Sequence, residues 1–197
     1  MSFKDLKKIK IVIVAGGWSS ERSVSINSGK NVFKTLKKNG YKVKFFDLKK
    51  YNLYELFNSK PDLIFNALHG EFGEDGGISC LAKKYNIPIT HSMDVSSALC
   101  FNKRLLKKFL KNELNILSPR ELHEIKKIKF PLIAKPNADG SSKGVKVINN
   151  HKELKKLKID QNILIEEKID GRELTVTVIE DKKKVKALGV TEITFKS

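Results

Sequence analysis

The sequence predicts an α/β protein, in which an open parallel sheet with helices on both faces is followed by an α+β unit. Along residues 1–92, short apolar runs alternate with amphipathic helical stretches, the pattern of a parallel sheet covered by helices. From residue 93 onward, a helical stretch precedes closely spaced strands, the pattern of an α+β unit. A chain of 197 residues can bury a core in each of these units.

The first strand is predicted from IKIVIVA at residues 9–15, because a continuous β-branched run is typical of a strand buried on both faces. Gly16 and Gly17 end this strand, and Ser19 and Ser20 are candidate caps for the helix that follows. The other elements predicted in this half are two strands and a helix, at residues 41–48, 61–68 and 77–86.

The second half is predicted to hold one long helix and several strands. The helix covers residues 95–114, and a new strand-rich region opens after Ser118 and Pro119. Its strands are FPLIAKP, GVKVINN, NILIEEKI, ELTVTVIED and KKVKALGVTEI. The last three are expected to be antiparallel, with a polar turn at residues 181–184.

The formal net charge of +17 could indicate a nucleic-acid partner. However, only 4 of the 39 basic residues are arginines, and the lysines are scattered through almost every polar stretch. Base recognition relies on the bidentate contacts that arginine makes. We therefore interpret the lysines as a solvated surface and predict no nucleic-acid partner.

Composition also bears on the compartment. No apolar run approaches the about 18 residues of a membrane helix, and MSFKDLKKIK lacks the apolar core of a signal peptide. We therefore expect no membrane partner and a cytoplasmic location. Cys80 and Cys100 have no CxxC pattern or histidine cluster around them, which indicates two buried free thiols rather than a disulfide or a zinc site.

Two glycine-rich segments follow predicted strands, at the edge where open α/β sheets bind ligands. In AGGWSSERSVS, residues 15–25, the glycine pair lets a ligand approach the backbone and the helix start favours a negative group. A tight strand-to-helix turn is the alternative. HGEFGEDGG, residues 69–77, presents one histidine and three acids on a tightly bending loop. That is a thin ligand set for a metal, and a purely structural turn is the alternative.

Two further segments, both in the second half, contain candidate phosphate-binding and nucleotide-binding residues. In FPLIAKPNADGSSKGVKVI, residues 130–148, Lys135 ends a strand before a loop whose backbone N–H groups and hydroxyls can bind phosphate oxygens. The order differs from a Walker motif, and a flexible β-hairpin is the alternative. The segment NILIEEKIDGRELTV, residues 162–176, presents carboxylates that can accept hydrogen bonds from an adenine amino group or from ribose hydroxyls. The alternative is that these carboxylates are simply solvated, as lone acids at strand ends usually are.

These segments, in this order and at these separations, resemble the D-alanine–D-alanine ligase family of the ATP-grasp superfamily, from about residue 9 to the end of the chain. HGEFGEDG is similar to the family's HGxxGEDG and GGWSSERSVS to its GGxSxExxVS. SSALCFNK is similar to ASAxxMDK, and KPNADGSSKGV to KPxxxGSSxGV. The four matches together are far more specific than any one of them.

The resemblance implies an N-terminal substrate-binding domain at residues 1–92, a central ATP-grasp domain at 93–180 and the start of a C-terminal catalytic domain at 181–197. ATP would phosphorylate the carboxylate of one D-alanine, and the amino group of a second would displace the phosphate. The product, D-alanyl-D-alanine, is used in peptidoglycan and so supports the cell wall and cell shape. The resemblance also implies Mg²⁺ or Mn²⁺ and a homodimer of the full-length protein.

Individual roles are implied by the same motif positions. Glu21 would bind the ammonium of the first D-alanine beside Ser141, which would help to orient the attacking amine, and His69 would lie near the reacting groups. Lys103 and Lys135 would contact the ATP phosphates. The remaining ATP-binding positions are Ser142 in the phosphate loop, Glu166, Glu167 and Ile169 at the adenine, and Glu173 at the ribose hydroxyls.

The chain also departs from the family pattern. The departures are Trp18, Ser79, His91, Asn102 and Lys143, none of which removes a proposed catalytic group. The family's magnesium ligands, its tyrosine partner of Ser141 and its arginine for the tetrahedral intermediate would all lie beyond Ser197. We therefore expect this chain to be a fragment. Another ATP-grasp ligase, such as a D-alanine–D-lactate ligase, and a noncatalytic nucleotide-binding remnant are the alternatives.

The 197-residue chain is expected not to turn over substrate, because the sequence offers no later acidic cluster to bind Mg²⁺. The check is ADP release by the purified chain with ATP, Mg²⁺ and D-alanine. Turnover at an ordinary enzymatic rate, about 1 s⁻¹ or faster, would contradict this expectation.

Overall fold

A computed structural model describes residues 3–124, 127–140, 142–158, 160–181 and 184–194. The N-terminal half runs through α1 (Phe3–Leu6), β1 (Lys10–Gly16), α2 (Arg22–Lys38), β2 (Lys42–Leu48), a 3₁₀ turn (Lys50–Asn52), α3 (Leu53–Asn58), β3 (Leu63–Asn66) and α4 (Gly77–Lys84). The second half runs through α5 (Asp94–Phe101), α6 (Lys103–Leu114), a 3₁₀ turn (Leu122–Glu124), β4 (Leu132–Pro136), β5 (Lys146–Ile148), α7 (His151–Lys156), β6 (Ile163–Glu167), β7 (Glu173–Asp181) and β8 (Lys184–Ile193).

The first sheet is parallel and has the order β2-β1-β3. Its central strand, β1, is buried from its second residue onward, because helices cover both faces. On one face, Val12 and Val14 pack with residues of α3 and α4, including Leu56 and Ile78. On the other face, Ile13 packs against the apolar side of α2. The predicted open parallel sheet between helices is confirmed.

The second sheet is antiparallel and has the order β5-β4-β6. Leu132 and Ala134 of β4 form a core with Ile148 of β5 and Ile165 of β6, and α7 contributes Leu154. The expectation that β6 joins β7 and β8 is wrong. β6 pairs with β4 instead, because this places the apolar side chain of Ile165 in the core.

The third sheet is the hairpin of β7 and β8, paired from Glu173 with Ile193 to Asp181 with Lys184. Its described residues are exposed on both faces. The predicted turn includes residues 182–183, which lie outside the described residues. The predicted domain that ends at residue 180 separates β7 from β8, its pairing partner in this hairpin.

The predicted helix at residues 95–114 is instead two helices, α5 and α6. Asn102 separates them with an extended backbone, at φ −89° and ψ 100°. Its side-chain oxygen caps α6 by accepting from the backbone N–H of Leu105 at 3.1 Å, and accepts also from the side chain of Asn137 at 3.0 Å. These bonds end one helix, begin the next and place Lys103 in the first turn of α6.

The two cysteines lie at the surface of the protein. Cys80 and Cys100 are both exposed free thiols, so the expectation of buried thiols is wrong. Cys80 faces solvent because its helix, α4, turns Ile78, Ser79 and Ala82 towards the core.

Among the described residues, no helix is both long enough and apolar enough to cross a membrane.

Gly76→Ala is expected to destabilise the protein by about 2–4 kcal/mol, since it adds both left-handed strain and overlap. Gly76 has φ +90°, and a Cβ there would overlap the backbone carbonyl of Asp94. Urea unfolding followed by the fluorescence of the single tryptophan, Trp18, measures the loss. The matched control is Gly171→Ala, where a Cβ would meet nothing within 4 Å. It should stay within about 0.5 kcal/mol of the parent, and equal losses in both variants would contradict this explanation.

Candidate active site

The loop after β1 is held in place by Arg22 at the start of α2. Its guanidinium donates to both carboxylate oxygens of Asp47, at 2.7 and 2.8 Å, and to the carbonyl oxygens of Gly17 and Leu48. Gly16 lies against this ion pair with φ +93°, and a Cβ there would collide with Asp47. Arg22, which the sequence analysis did not single out, therefore shapes the glycine pair that precedes Glu21.

Glu21 is buried at the junction of two glycine-rich loops, with only 2% of its surface exposed. Its Oε2 lies 3.1 Å from the position that a Cβ on Gly70 would take. The same oxygen lies 3.4 Å from the corresponding position on Gly140. The approach at Gly70, which has φ +69°, depends on glycine, whereas the distance at Gly140 is an ordinary contact. The N-terminal loops and the loop after β4 therefore both reach this carboxylate.

His69 is oriented through both ring nitrogens. Nδ1 lies 3.1 Å from a carboxylate oxygen of Glu74, and Nε2 lies 3.3 Å from the hydroxyl of Ser28. The hydroxyl of Ser19 donates to the backbone carbonyl of His69 at 2.7 Å. In this structure His69 therefore ties the loop of residues 69–76 to α2 and to the loop after β1.

A cavity of about 270 Å³ opens beside the loop after β4, and three lysines line it. Lys103 reaches it from the start of α6, where its ammonium donates to the carbonyl of Asp139 at 2.7 Å. Burial lowers the pKa of Lys103, and the charge of Lys135 lowers it further. Cations crowded in this way favour an anionic ligand. The full lining is Lys103, Lys135, Pro136, Asp139, Gly140, Ser142, Lys143 and Val145.

The same loop contacts the N-terminal half through Lys143. Its ammonium donates to the carbonyl of Ser20 at 2.7 Å and lies 3.2 Å from the hydroxyl of that residue. Ser142, beside it, has φ +56°, in the left-handed region. Ser141, a predicted catalytic residue, lies outside the described residues. The cavity therefore opens next to the loops that surround Glu21.

Glu166 of β6 is 2% exposed, and it is paired with two lysines. Lys135 approaches its Oε2 at 2.5 Å, and Lys107 approaches its Oε1 at 2.5 Å. Lys107 also lies 3.8 Å from Glu121, which pairs with Arg104 at 3.1 Å. Sequence reasoning missed Lys107, although its position one helical turn after Lys103 was an available signal.

The remaining predicted nucleotide-binding residues lie beyond β6 or at its end. The carboxylate of Glu167 pairs with Arg120 at 2.6 Å, and hydrogen bonds from Arg120 lower the pKa of Glu167. Ile169 is 63% exposed, and Glu173 begins the exposed β7. Neither lines the cavity. The structure thus brings together Lys103, Lys135, Ser142 and Glu166, with Glu21 beside them.

Within the described part of the chain, no three His, Cys, Asp or Glu side chains come together as a ligand set.

Comparisons with known proteins identify the family of this chain. A family model described as D-ala D-ala ligase N-terminus matches residues 10–61, and one described as D-ala D-ala ligase C-terminus matches residues 106–197. The D-alanine–D-alanine ligase of Pelagibacter ubique is 42% identical, over 93% of this chain and 64% of the relative. That of Zymomonas mobilis is 40% identical, over 94% of this chain and 61% of the relative.

A solved structure shows the same fold. The D-alanine–D-alanine ligase of Bacillus anthracis, complexed with ATP, superposes with a TM-score of 0.76 at 32% identity, over 96% of this chain and 67% of that one. Fold and comparisons together define an ATP-grasp protein. More particularly, the chain belongs to the D-alanine–D-alanine ligase family. It spans less than two thirds of the length of the two curated relatives above.

The Glu167–Arg120 pair predicts that the stability of the fold depends on pH. Because the folded pKa of Glu167 lies below its unfolded value, the pair stabilises the fold above the unfolded pKa. This stability is lost as the pH falls from the ordinary range of a glutamate pKa through the lower folded pKa. In Glu167→Gln, the slope of the free energy of unfolding against pH should become shallower on the acid side. The change should be equivalent to at most about one proton taken up on unfolding.

Urea unfolding at several pH values measures that slope. Arg120→Met is the matched variant and should flatten it in part, since a backbone N–H still donates to Glu167. An acid slope that Glu167→Gln leaves unchanged would rule this pair out as its source.

Proposed function

We propose that this protein binds ATP and D-alanine for the ligation of two D-alanines into D-alanyl-D-alanine, a peptidoglycan precursor. The observation that carries the proposal is the lysine-lined cavity beside Glu21, with Gly140 of its loop against that carboxylate. Phosphates in the cavity would lie next to an amino acid held by Glu21. Membership of the D-alanine–D-alanine ligase family supports this assignment.

The reaction needs an activated carboxyl group, because a free carboxylate is a poor acyl donor. A carboxylate oxygen of the first D-alanine attacks the γ-phosphorus of ATP, and the bond to the bridging oxygen breaks with release of ADP. The amino group of the second D-alanine then attacks the carbonyl carbon. Phosphate leaves with the electrons of its C–O bond, and the amine loses a proton. Each step builds negative charge that nearby ammonium groups can stabilise.

The proposed roles follow the positions of the side chains. Glu21 pairs with the ammonium of the first D-alanine, since a buried carboxylate favours a cationic partner. Lys103 and Lys135 bind phosphate oxygens, and Ser142 covers them from the loop. His69 lies near the reacting carboxyl group, and Ser141, outside the described residues, orients the attacking amine.

Adenosine binding is proposed outside the lysine-lined cavity, at the end of β6 and the start of β7. Glu166 accepts from the adenine amino group at its Oε2, once Lys135 has turned from that oxygen to a phosphate. The backbones of Glu167 and Ile169 lie along the ring, and Glu173 accepts from the ribose hydroxyls. The exposed Ile169 supports this placement, because its apolar surface is available to a base.

ATP and the metal fit this site differently. The lysines and the loop after β4 suit a triphosphate, which would supply the phosphoryl group. The described residues do not offer Mg²⁺ or Mn²⁺ a ligand set, so no step here runs through a metal. We also propose a cytoplasmic location, where ATP is available, and a homodimer, as the family resemblance implies.

The proposal predicts that the 197-residue chain binds ATP and that Lys135→Met weakens this binding at least about tenfold, the value of a lost charge-assisted hydrogen bond. Isothermal titration calorimetry measures the affinity. Lys108→Met, on the exposed side of α6, is the matched control and should bind like the parent. Glu21→Gln should weaken D-alanine binding and leave the affinity for ATP within about twofold.

Two results would contradict the proposal. One is a parent chain that binds no ATP at millimolar concentration. The other is an equal loss of ATP affinity in Lys135→Met and Lys108→Met. A panel of D-alanine, D-serine and D-lactate as acceptors, given to a full-length version of the protein and scored by product mass, then identifies the second substrate.

A further inference from the structure

Five charged side chains form a continuous row across the second sheet, from its edge to the cavity. Arg104 pairs with Glu121 at 3.1 Å, and Glu121 lies 3.8 Å from Lys107. Lys107 and Lys135 then contact the two oxygens of Glu166, each at 2.5 Å. We call this row the charge chain. Only its last member, Lys135, lines the phosphate cavity together with Lys103.

Lys135 is engaged at two places. Its ammonium contacts Glu166, yet its side chain lines the cavity and is 27% exposed. To reach a phosphate it must weaken or share its contact with Glu166. The Glu166 side chain is 2% exposed, so water cannot replace the lost counter-charge.

Lys107 removes this conflict. Its side chain is 14% exposed and it does not line the cavity, so it stays with Glu166 whatever fills the site. The carboxylate of Glu121 also lies near the Lys107 ammonium, and Arg104 forms an ion pair with Glu121. Arg104 donates in addition to the carbonyl of Ile163 at 2.8 Å. Lys107 therefore keeps Glu166 neutralised when Lys135 turns towards an anion.

We propose that Lys107 is a positioning residue of the ATP site. It holds Oε1 of Glu166, so that Lys135 is released to bind phosphate while the Glu166 carboxylate stays in place. The inference rests on the proposed function, since it assigns a residue to the same ATP site. It requires that Lys107 acts through Lys135 and not on the nucleotide directly.

A double-mutant cycle tests this requirement. Lys107→Met should weaken binding of ATP and of inorganic tripolyphosphate about tenfold, because Lys135 becomes the sole counter-charge of Glu166. In a Lys135→Met background the same change should cost less than about twofold. Lys107→Arg should restore most of the affinity, and Lys108→Met serves as the control. A merely structural role for Lys107 would give equal losses in both backgrounds.

A second measurement needs no nucleotide. Acylation of Lys135 by acetic anhydride, followed by mass spectrometry, should slow several-fold in Lys107→Met and not in Lys108→Met, because Glu166 then holds Lys135 alone. If the parent binds neither ATP nor tripolyphosphate but this slowing is seen, the proposed function fails and the release of Lys135 by Lys107 stands. Unchanged acylation, or additive losses in the cycle, would overturn the role of Lys107.

Discussion

The buried carboxylate of Glu166 is the constraint on which the second half of the molecule depends. A carboxylate removed from water must meet cations or give up its charge. Two lysines from different elements meet it, Lys107 from α6 and Lys135 from β4. This one charge therefore joins a helix to two strands of the sheet. Because Lys103 lies one helical turn before Lys107, the same contact positions the ammonium at the start of α6.

Positive charge also gathers in the cavity, because Lys135, which pairs with Glu166, lines it together with Lys103 and Lys143. Lys103 faces the carbonyl of Asp139 and the charge of Lys135, and burial adds to the lowering of its pKa. An anion entering the cavity would relieve this repulsion. The loop that closes the cavity also contacts the N-terminal loops, through Lys143 at Ser20. The two halves of the molecule thus bring a lysine-lined cavity beside the buried carboxylate of Glu21.

Much of the fold could be predicted because it depends on local patterns. The β-branched run of β1 and the alternation in β7 identified those strands, and β7 runs over Glu173–Asp181 as expected. The break at Asn102 was missed because its cap is completed by Asn137, far along the chain. The pairing of β6 was missed because a strand pattern does not say which neighbour buries Ile165.

The sequence by itself determined the order of strands and helices, the glycine-rich loops at the strand ends and the residue types that suit phosphate. These properties follow from side-chain periodicity and turn chemistry over a few residues. Only the tertiary structure decided that Lys107 and Lys135 share Glu166, and that Lys143 contacts Ser20, 123 positions away. The reason is physical: the cost of a buried charge depends on every element packed around it, and no local pattern records that packing.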